Sequence, residues 1–378
     1  MSRWGVPATQ RLLIKYPEIT HMNIYPYLFM LPRAPNLIIW DYKNHNQFEL
    51  NKTYATRFIE LINEPTLFDD SKTIDLELLN AGILTSTPHQ TPKWGWDDLS
   101  KIFHIGTKNI PFNNIPQNVS EWTAQYLSHC TDVLSSPPPP NANPEYESCE
   151  PIHLPTSIHP TLPLTKSLIS RKTCRVFTGE AVTIETVSTL LYLSLGYLRE
   201  REDDRDESIA EGLHARRASP SSGGLNSCGG FLYVKKVTGL NPGIYAYHPA
   251  LNAISFVNPL PDDPLGKLLC GQHFINNLPC GIFITSQFNK LWWKYGHSRA
   301  YRMAYIEVGH ISQTFQLVAT SLGLKTWLTG ALTDDRVETL LKLDGSTEQP
   351  LFFVGCGRSD GQVMCAEMKA LLGERGSK

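Results

Sequence analysis

Lys294 and Tyr295 set a cation beside a phenol, and Arg299 and Arg302 follow closely. A lysine next to a tyrosine stabilises the phenolate, and desolvation lowers the lysine's own pKa. Either side chain is therefore a candidate proton acceptor near neutral pH. A surface pair beside the aromatic run Trp292-Trp293 is the alternative reading. Adjacent residues of a regular strand point to opposite faces, so the two serve one site only where the backbone is irregular. Gly296, just after them, makes a turn available. A second cluster, Arg171-Lys172-Thr173-Cys174-Arg175, gathers cations and a hydroxyl ahead of the apolar run Ile184, Val187, Leu190, Leu191. Guanidinium forks and a hydroxyl suit an anion such as a phosphate. A solvated basic strand end is the alternative. Third, Ser219-Pro220-Ser221-Ser222-Gly223-Gly224 is a stretch of small residues that lets backbone approach a flat ring, with hydroxyls to hydrogen-bond it.

The elements that must position these residues are legible from periodicity. Met303, Ile306, Ile311, Phe315, Val318 and Leu322 recur at helical spacing, which predicts a helix from about Ala300 to Leu322. Gly323 supplies its stop, and Leu324 to Leu328 reads as a short buried strand. Within the helix, Glu307, His310 and Gln313 lie along one polar stripe. Gln313 is the member assigned to a ligand, and simple polar satisfaction between packed helices is the alternative for Glu307 and His310. Strands are expected at Phe231 to Val237, Ile244 to Tyr247, Ala253 to Val257, Gly281 to Ser286 and Pro350 to Val354, with a turn at Asn241-Pro242-Gly243. Thr329-Gly330 offers backbone freedom beside a ring, Thr333 is placed to cap a helix over Asp334 to Leu343, and Arg358 sits among glycines where it can close on an anion. The stretch Leu198 to Arg217 is dense in both charges and reads as an exposed segment laced with local ion pairs.

The 378 residues suit two domains. Residues 1–134 form the first, with paired strands Asn36 to Asp41 and Gln47 to Leu50. A helix capped at Thr53, a second helix from Thr73 to Asn80 and a strand after Gly82 follow. This order resembles a winged helix, either docking peptide or simply packing. Trp94, Trp96 and Phe103 read as core anchors, and His104 as a hydrogen-bonded core histidine near a helix capped at Asp97. Residues 135–157 are a Pro-rich linker that acts as a semi-rigid spacer. Residues 158–378 form the second domain.

These motifs, in order, carry a family resemblance. Lys-Tyr at 294–295, then R-x-YR, EVGHISQ and A-x-SLGL through Leu324, resemble the FMN-dependent azoline dehydrogenases of the SagB/McbC type, a branch of the nitroreductase fold. The cluster at 171–175, the 219–224 stretch and GLNPGIYAY at 239–247 match as well. So does the W-x-W…FH-x-GT segment from Trp94 to Thr107. The resemblance spans roughly residues 158 to 360. It implies an α+β class with a mixed, mainly antiparallel sheet flanked by helices, FMN as cofactor, and a homodimer with FMN at the interface. Arg171, Lys172, Thr173 and Arg175 would hold the phosphate and face the flavin pyrimidine. Pro220, Ser221, Ser222, Gly223, Gln313, Gly330 and Arg358 would complete the site. Lys294 and Tyr295 would be catalytic. The family usually reads RRS-x-R where this chain has Lys172 and Thr173, and Lys172 forgoes the bidentate geometry. Asn226 to Gly230 also departs from the family pattern, so a substrate contact that the family places just after this turn is not carried over.

The implied reaction is oxidation of thiazoline or oxazoline rings to thiazoles or oxazoles on a ribosomally made peptide. A separate cyclodehydratase would form the rings, since nothing here resembles an ATP site. A general flavin-dependent reductase of nitro compounds or enones, and a peptide-binding scaffold with a vestigial flavin site, are the rival readings. A net charge of −2 gives no drive toward nucleic acid or acidic membranes. Eight cysteines without a CxxC pair, no signal-like apolar run and no span of membrane length point to a cytoplasmic protein with reduced thiols and no metal.

Overall fold

A computed structural model describes residues 22–89, 97–108, 119–137, 150–155, 160, 162–204, 215–366 and 369–370. The chain divides into two compact units, Met1–Asn113 and Asn114–Lys378. Trp94, Trp96 and most of the Pro-rich stretch lie outside the described residues.

In the first unit β1 (Asn23–Ile24) precedes β2 (Leu28–Arg33), β3 (Asn36–Asp41) and β4 (Asn46–Leu50), then α1 (Lys52–Asn63), α2 (Thr73–Asn80), β5 (Leu84–Thr85) and α3 (Asp98–Gly106). β2, β3 and β4 form an antiparallel meander, and β1 pairs with β5. Ile39, Leu50, Phe58, Leu61, Leu78 and Ile83 close one core. The cap of α1 is Asn51, whose side chain accepts from the Thr53 and Tyr54 amides, so the expected Thr53 cap is displaced by two residues. Asp97 caps α3 as expected, accepting from Ser100 N. Phe103 and His104 are exposed rather than core residues.

The second unit runs α4 (Val119–Leu134), β6 (Ile152–His153), α5 (Leu164–Ser170), β7 (Val182–Thr183), α6 (Ile184–Leu195), β8 (Cys228–Val234), β9 (Val237–Thr238), β10 (Gly243–His248) and β11 (Ala253–Asn258). It continues through α7 (Leu265–Leu268), β12 (Cys280–Gln287), α8 (Phe288–Lys294), α9 (Tyr301–Ser321), β13 (Lys325–Thr329), α10 (Asp334–Leu341) and β14 (Glu348–Gly357). Seven strands form one sheet in the order β13-β14-β12-β8-β10-β11-β6, each neighbouring pair antiparallel. Parallel pairing enters at β7–β9 and at the Thr173–Thr326 bridge, so the mixed, mainly antiparallel α+β expectation holds.

Strand alternation sends Leu232, Val234, Ile282 and Ile284 to one face, where they meet Leu191 and Leu195 of α6 and Ile311 and Phe315 of α9. The intervening Phe231, Tyr233, Phe283 and Phe353 face a second core with Leu265, Leu268, Val337 and Leu341. The predicted long helix is α9, and Gly323 ends it at φ +77, a conformation that favours glycine. Thr333 precedes α10 but its hydroxyl donates to Lys267 O, so it does not cap the helix through its side chain. Among the described residues no helix is long and apolar enough to cross a membrane.

Candidate active site

α8 ends at Lys294, and Tyr295 follows in an extended conformation (φ −119, ψ 105). That break supplies the irregular backbone the two neighbours need. Both side chains turn toward Gly223: a methyl group built there would lie 2.5 Å from Tyr295 Oη and 2.6 Å from Lys294 Nζ. Lys294 Nζ donates to Gly223 O at 3.0 Å. Gly223 itself sits at φ +58, which a residue with a Cβ adopts only under strain. Lys294 is buried, and burial pushes its ammonium below the ordinary lysine value. Burial pushes the Tyr295 phenol up, with smaller contributions from Tyr126 and Cys130. The pair is thus split in opposite directions, and of the two only the lysine moves toward neutral pH.

The loop that carries Gly223 is pinned from beneath by Glu307 of α9. Ser221 Oγ donates to Glu307 Oε2 at 2.9 Å, Ser227 Oγ to the same oxygen at 3.2 Å, and Cys228 N to Oε1 at 3.0 Å. Ser221 Oγ also accepts from Asn226 N at 2.8 Å, and Ser219 Oγ lies 2.9 Å from Thr314 Oγ1. Glu307 is buried and fully used in holding this turn, while His310, on the same stripe, is exposed. A cavity of about 550 Å³ opens beside the loop, lined by Ser221, Gly223, Gly224 and Lys294 and closed on one side by Tyr126 and Cys130 of α4. Pro220 lines it too, and Ser222 stands at the start of the turn.

The basic cluster lies toward the other end of α9. Arg171 follows α5 directly, and its Nη1 donates to Gln316 Oε1 at 3.3 Å. Gln316 also accepts from Thr326 Oγ1 and donates to Gln313 Oε1, each at 3.3 Å. Thr173 bridges to Thr326, and Cys174 N donates to Thr326 O at 2.9 Å, so the cluster is stitched to β13. Lys172 and Lys325 converge on Gly361: a methyl group there would lie 2.9 Å from Lys172 Nζ and 3.9 Å from Lys325 Cε. Arg175 is committed to its own chain, donating to Val363 O at 2.9 Å and lying over the Phe274 ring. Arg358 forms an exposed pair with Glu180 at 3.4 Å. Gly330 faces the Phe352 ring.

The structure therefore assembles two groups. Lys294, Tyr295 and Gly223 meet near the N-terminal half of α9, and Arg171, Lys172, Thr173 and Gln313 gather near its C-terminal half. Glu307 and Gln316 are separated by about 14 Å along the helix axis, at 1.5 Å per residue. Cations at 171, 172 and 325 with a hydroxyl at 173 supply the donors that a phosphate accepts from, and the small-residue turn at 221–224 leaves room for a flat ring, so the residues fit FMN. Sequence reasoning missed Lys325, Gln316, Tyr126 and Cys130. Gln316 stands three residues after Gln313 on the same stripe, a spacing that could have found it. Arg217, read as part of an exposed charged segment, is instead buried, with its Nη1 on Cys228 O at 2.7 Å. Residues 205–214 of that segment lie outside the described residues.

The sequence profile of the nitroreductase family matches residues 168–358, half of the chain. MJ1384 of Methanocaldococcus jannaschii, named for the nitroreductases, is 29% identical over 195 residues, covering 50% of this chain and 88% of that protein. TfxC of Rhizobium leguminosarum bv. trifolii, a trifolitoxin operon protein, is 25% identical over 275 residues, covering 70% and 72% respectively. TfxB of the same organism, a trifolitoxin-processing protein, is 28% identical over 171 residues, covering 43% and 44%.

Proposed function

The chain belongs to the nitroreductase family, and on that premise we propose that it is an FMN-dependent dehydrogenase that oxidises thiazoline or oxazoline rings on a ribosomally made peptide. The observation that carries this reading is the convergence of Lys294 Nζ and Tyr295 Oη on Gly223, where Gly223 and Lys294 line an open cavity. Turning an azoline into an azole requires a proton to leave ring carbon, and a placed base answers that need. Reduction of a nitro compound does not call for one. Similarity to TfxB and TfxC, named for the processing and the operon of trifolitoxin, supports a processing role.

FMN, when bound, supplies the two-electron acceptor chemistry that the side chains lack. Arg171, Lys172, Thr173 and Lys325 are the groups we assign to its phosphate. The rest of the work belongs to the protein. Lys294, desolvated and lowered in pKa, takes the proton from ring carbon at Nζ. Tyr295 keeps its proton because burial raises its pKa, and its Oη donates a hydrogen bond that orients the ring. Glu307 fixes the loop, so the Gly223 carbonyl holds the lysine in place between turnovers. Tyr126, Leu127 and Cys130 of α4 shield the cavity from one side.

The same reading includes a homodimer, a separate cyclodehydratase as partner, a cytoplasmic setting and a first unit that docks the peptide. Exposed Leu164, Leu168 and Ile169 of α5, with Tyr305 and Ile306 of α9, leave apolar surface that a second copy would cover. The described cysteines are free thiols, in keeping with a reducing compartment. The test is incubation of the flavin-loaded protein with an azoline peptide in air, without NAD(P)H. A loss of about two mass units per ring is expected, the signature of a two-hydrogen oxidation. An unchanged peptide, alongside NAD(P)H-driven reduction of a nitro compound, would replace this reading with a general reductase.

A further inference from the structure

A second cavity, of about 270 Å³, lies where β8 begins and β10 turns into β11. Its wall includes Arg217, Gln287, Lys290 and Glu348, none of which was singled out in the sequence. Two of these present polar atoms with no partner among the described residues. Arg217 is 5% exposed, its Nη1 is spent on Cys228 O, and its plane is held over the Tyr197 ring at 5.3 Å. That leaves Nε, a buried N–H donor, unused. Gln287 donates Nε2 to Glu348 Oε2 at 3.4 Å. With Glu348 ionised, its carboxylate accepts this bond, which orients the amide and leaves Oε1 as a buried acceptor without a partner among the described residues. Glu348 is itself buried, and Thr285 Oγ1 donates to its other oxygen at 2.5 Å.

A buried guanidinium N–H and a buried amide oxygen without partners among the described residues, on two side chains that line one cavity, suit a ligand that offers both an acceptor and a donor. The charges say which is which. Arg217 and Lys290 both carry positive charge here, and burial followed by the Arg217 charge pushes the Lys290 ammonium down. The Glu348 and Glu307 carboxylates oppose that shift in part, and an anion beside Arg217 and Lys290 would oppose it further. Gln287 Oε1 and the Glu348 carboxylate favour an N–H on the other side.

We propose that this cavity binds an α-amino-acid unit, its carboxylate on Arg217 Nε and Lys290 and its N–H on Gln287 Oε1. The unit is either a free amino acid or the C-terminal residue of a peptide, which share this chemistry. Arg217 and Asn226 also line the larger cavity beside Lys294, so the two spaces share part of a wall.

The test is calorimetry on the flavin-loaded full chain with N-acetylglycine, glycine and acetate as probes. Binding by N-acetylglycine or glycine, with acetate weaker by roughly fivefold or more for want of an N–H, is expected. Tighter N-acetylglycine identifies a peptide terminus, and tighter glycine a free amino acid. Lys290→Met, on a half-buried helical position, should weaken the better probe by roughly tenfold. Gln287→Leu should bring that probe down to the level of acetate. Arg217→Lys is the harsher variant, since it removes a buried fork. Absence of binding by both N–H-bearing probes to the wild-type chain would overturn the proposal, as would unchanged affinity in a folded Lys290→Met protein.

Discussion

Lys294 Nζ donates to the carbonyl oxygen of Gly223 at 3.0 Å, across 71 residues of chain. The bond ties the end of α8 to a turn held from below by Glu307, so three separate elements decide where the ammonium rests. Among the described residues its one hydrogen-bond acceptor is neutral, which is weak compensation for burying a charge. Burial therefore shifts the lysine toward its neutral form, the direction a proton acceptor needs.

Gly223→Ala should be far more damaging than a surface glycine change. The new Cβ would press against both Tyr295 Oη and Lys294 Nζ while the backbone stays at φ +58. Turnover is expected to fall by about 10²-fold, within the range for a displaced general base, with flavin absorbance retained. Wild-type turnover in this variant would separate Gly223 from the chemistry.

The pH profile follows from the direction of the lysine shift. Lys294 must be neutral to accept a proton, so kcat/KM should rise with pH through a pKa below the ordinary lysine value of 10.5. Lys294→Ala should lower turnover by about 10²–10⁴-fold and abolish that limb. Stability moves with the same sign. Where the unfolded chain holds the proton and the folded chain does not, raising the pH stabilises the fold. Lys294→Met should therefore flatten part of the rise of stability with pH, seen in urea unfolding at several pH values. A Lys294→Met protein with the wild-type slope would contradict the assigned desolvation.

Periodicity made the scaffold legible. The apolar spacing of α9 and the alternation of β8, β10 and β12 depend on local residue order, and the structure places them close to where that order predicts. Lys294, Tyr295 and Gly223 were recognisable as types and motifs, yet only the ending of α8 shows that they meet. What stayed hidden is non-local. Lys325 joins the basic cluster through the Thr173–Thr326 bridge, a pairing between distant segments that no local pattern encodes. Arg217 looked solvated because its neighbours are charged, but it is buried, with one N–H on a distant carbonyl and its guanidinium over a tyrosine ring.

The arginines at 171 and 175 should behave differently. Arg171 has spent one N–H on Gln316 and keeps others for a phosphate. Arg175 is occupied by Val363 O and the Phe274 ring. Arg171→Ala is expected to weaken FMN by roughly 10- to 100-fold, the loss of a charge-assisted hydrogen bond. Arg175→Ala should mainly destabilise the chain, by about 1 kcal/mol. Equal flavin loss in the two, measured by absorbance after gel filtration, would return Arg175 to the phosphate site.

Glu307→Ala should cost more stability than any change at His310. It strands the Ser221 and Ser227 hydroxyls and the Cys228 amide without their shared acceptor. The expected loss is about 3 kcal/mol in urea unfolding with an unchanged slope. Glu307→Gln keeps one oxygen acceptor and should lose less. A cost below about 1 kcal/mol for the alanine variant would mean that the loop finds its partners elsewhere.

Two shortened chains separate the role of the first unit from that of α4. A chain starting at Asn114 keeps α4, and with it Tyr126 and Cys130 on the cavity wall. It should retain flavin and the Lys294 pH limb. If the first unit docks peptide, its affinity for a long substrate should drop by about tenfold more than for a short one, since remote contacts add to binding. A chain starting at His159 also loses α4. Water then reaches Lys294, and the limb should climb toward the ordinary lysine value because the desolvation that lowers it is relieved. Equal affinity of the Asn114 chain for both peptide lengths would leave the first unit without a docking role. An unmoved limb in the His159 chain would show that α4 does not set the environment of the base.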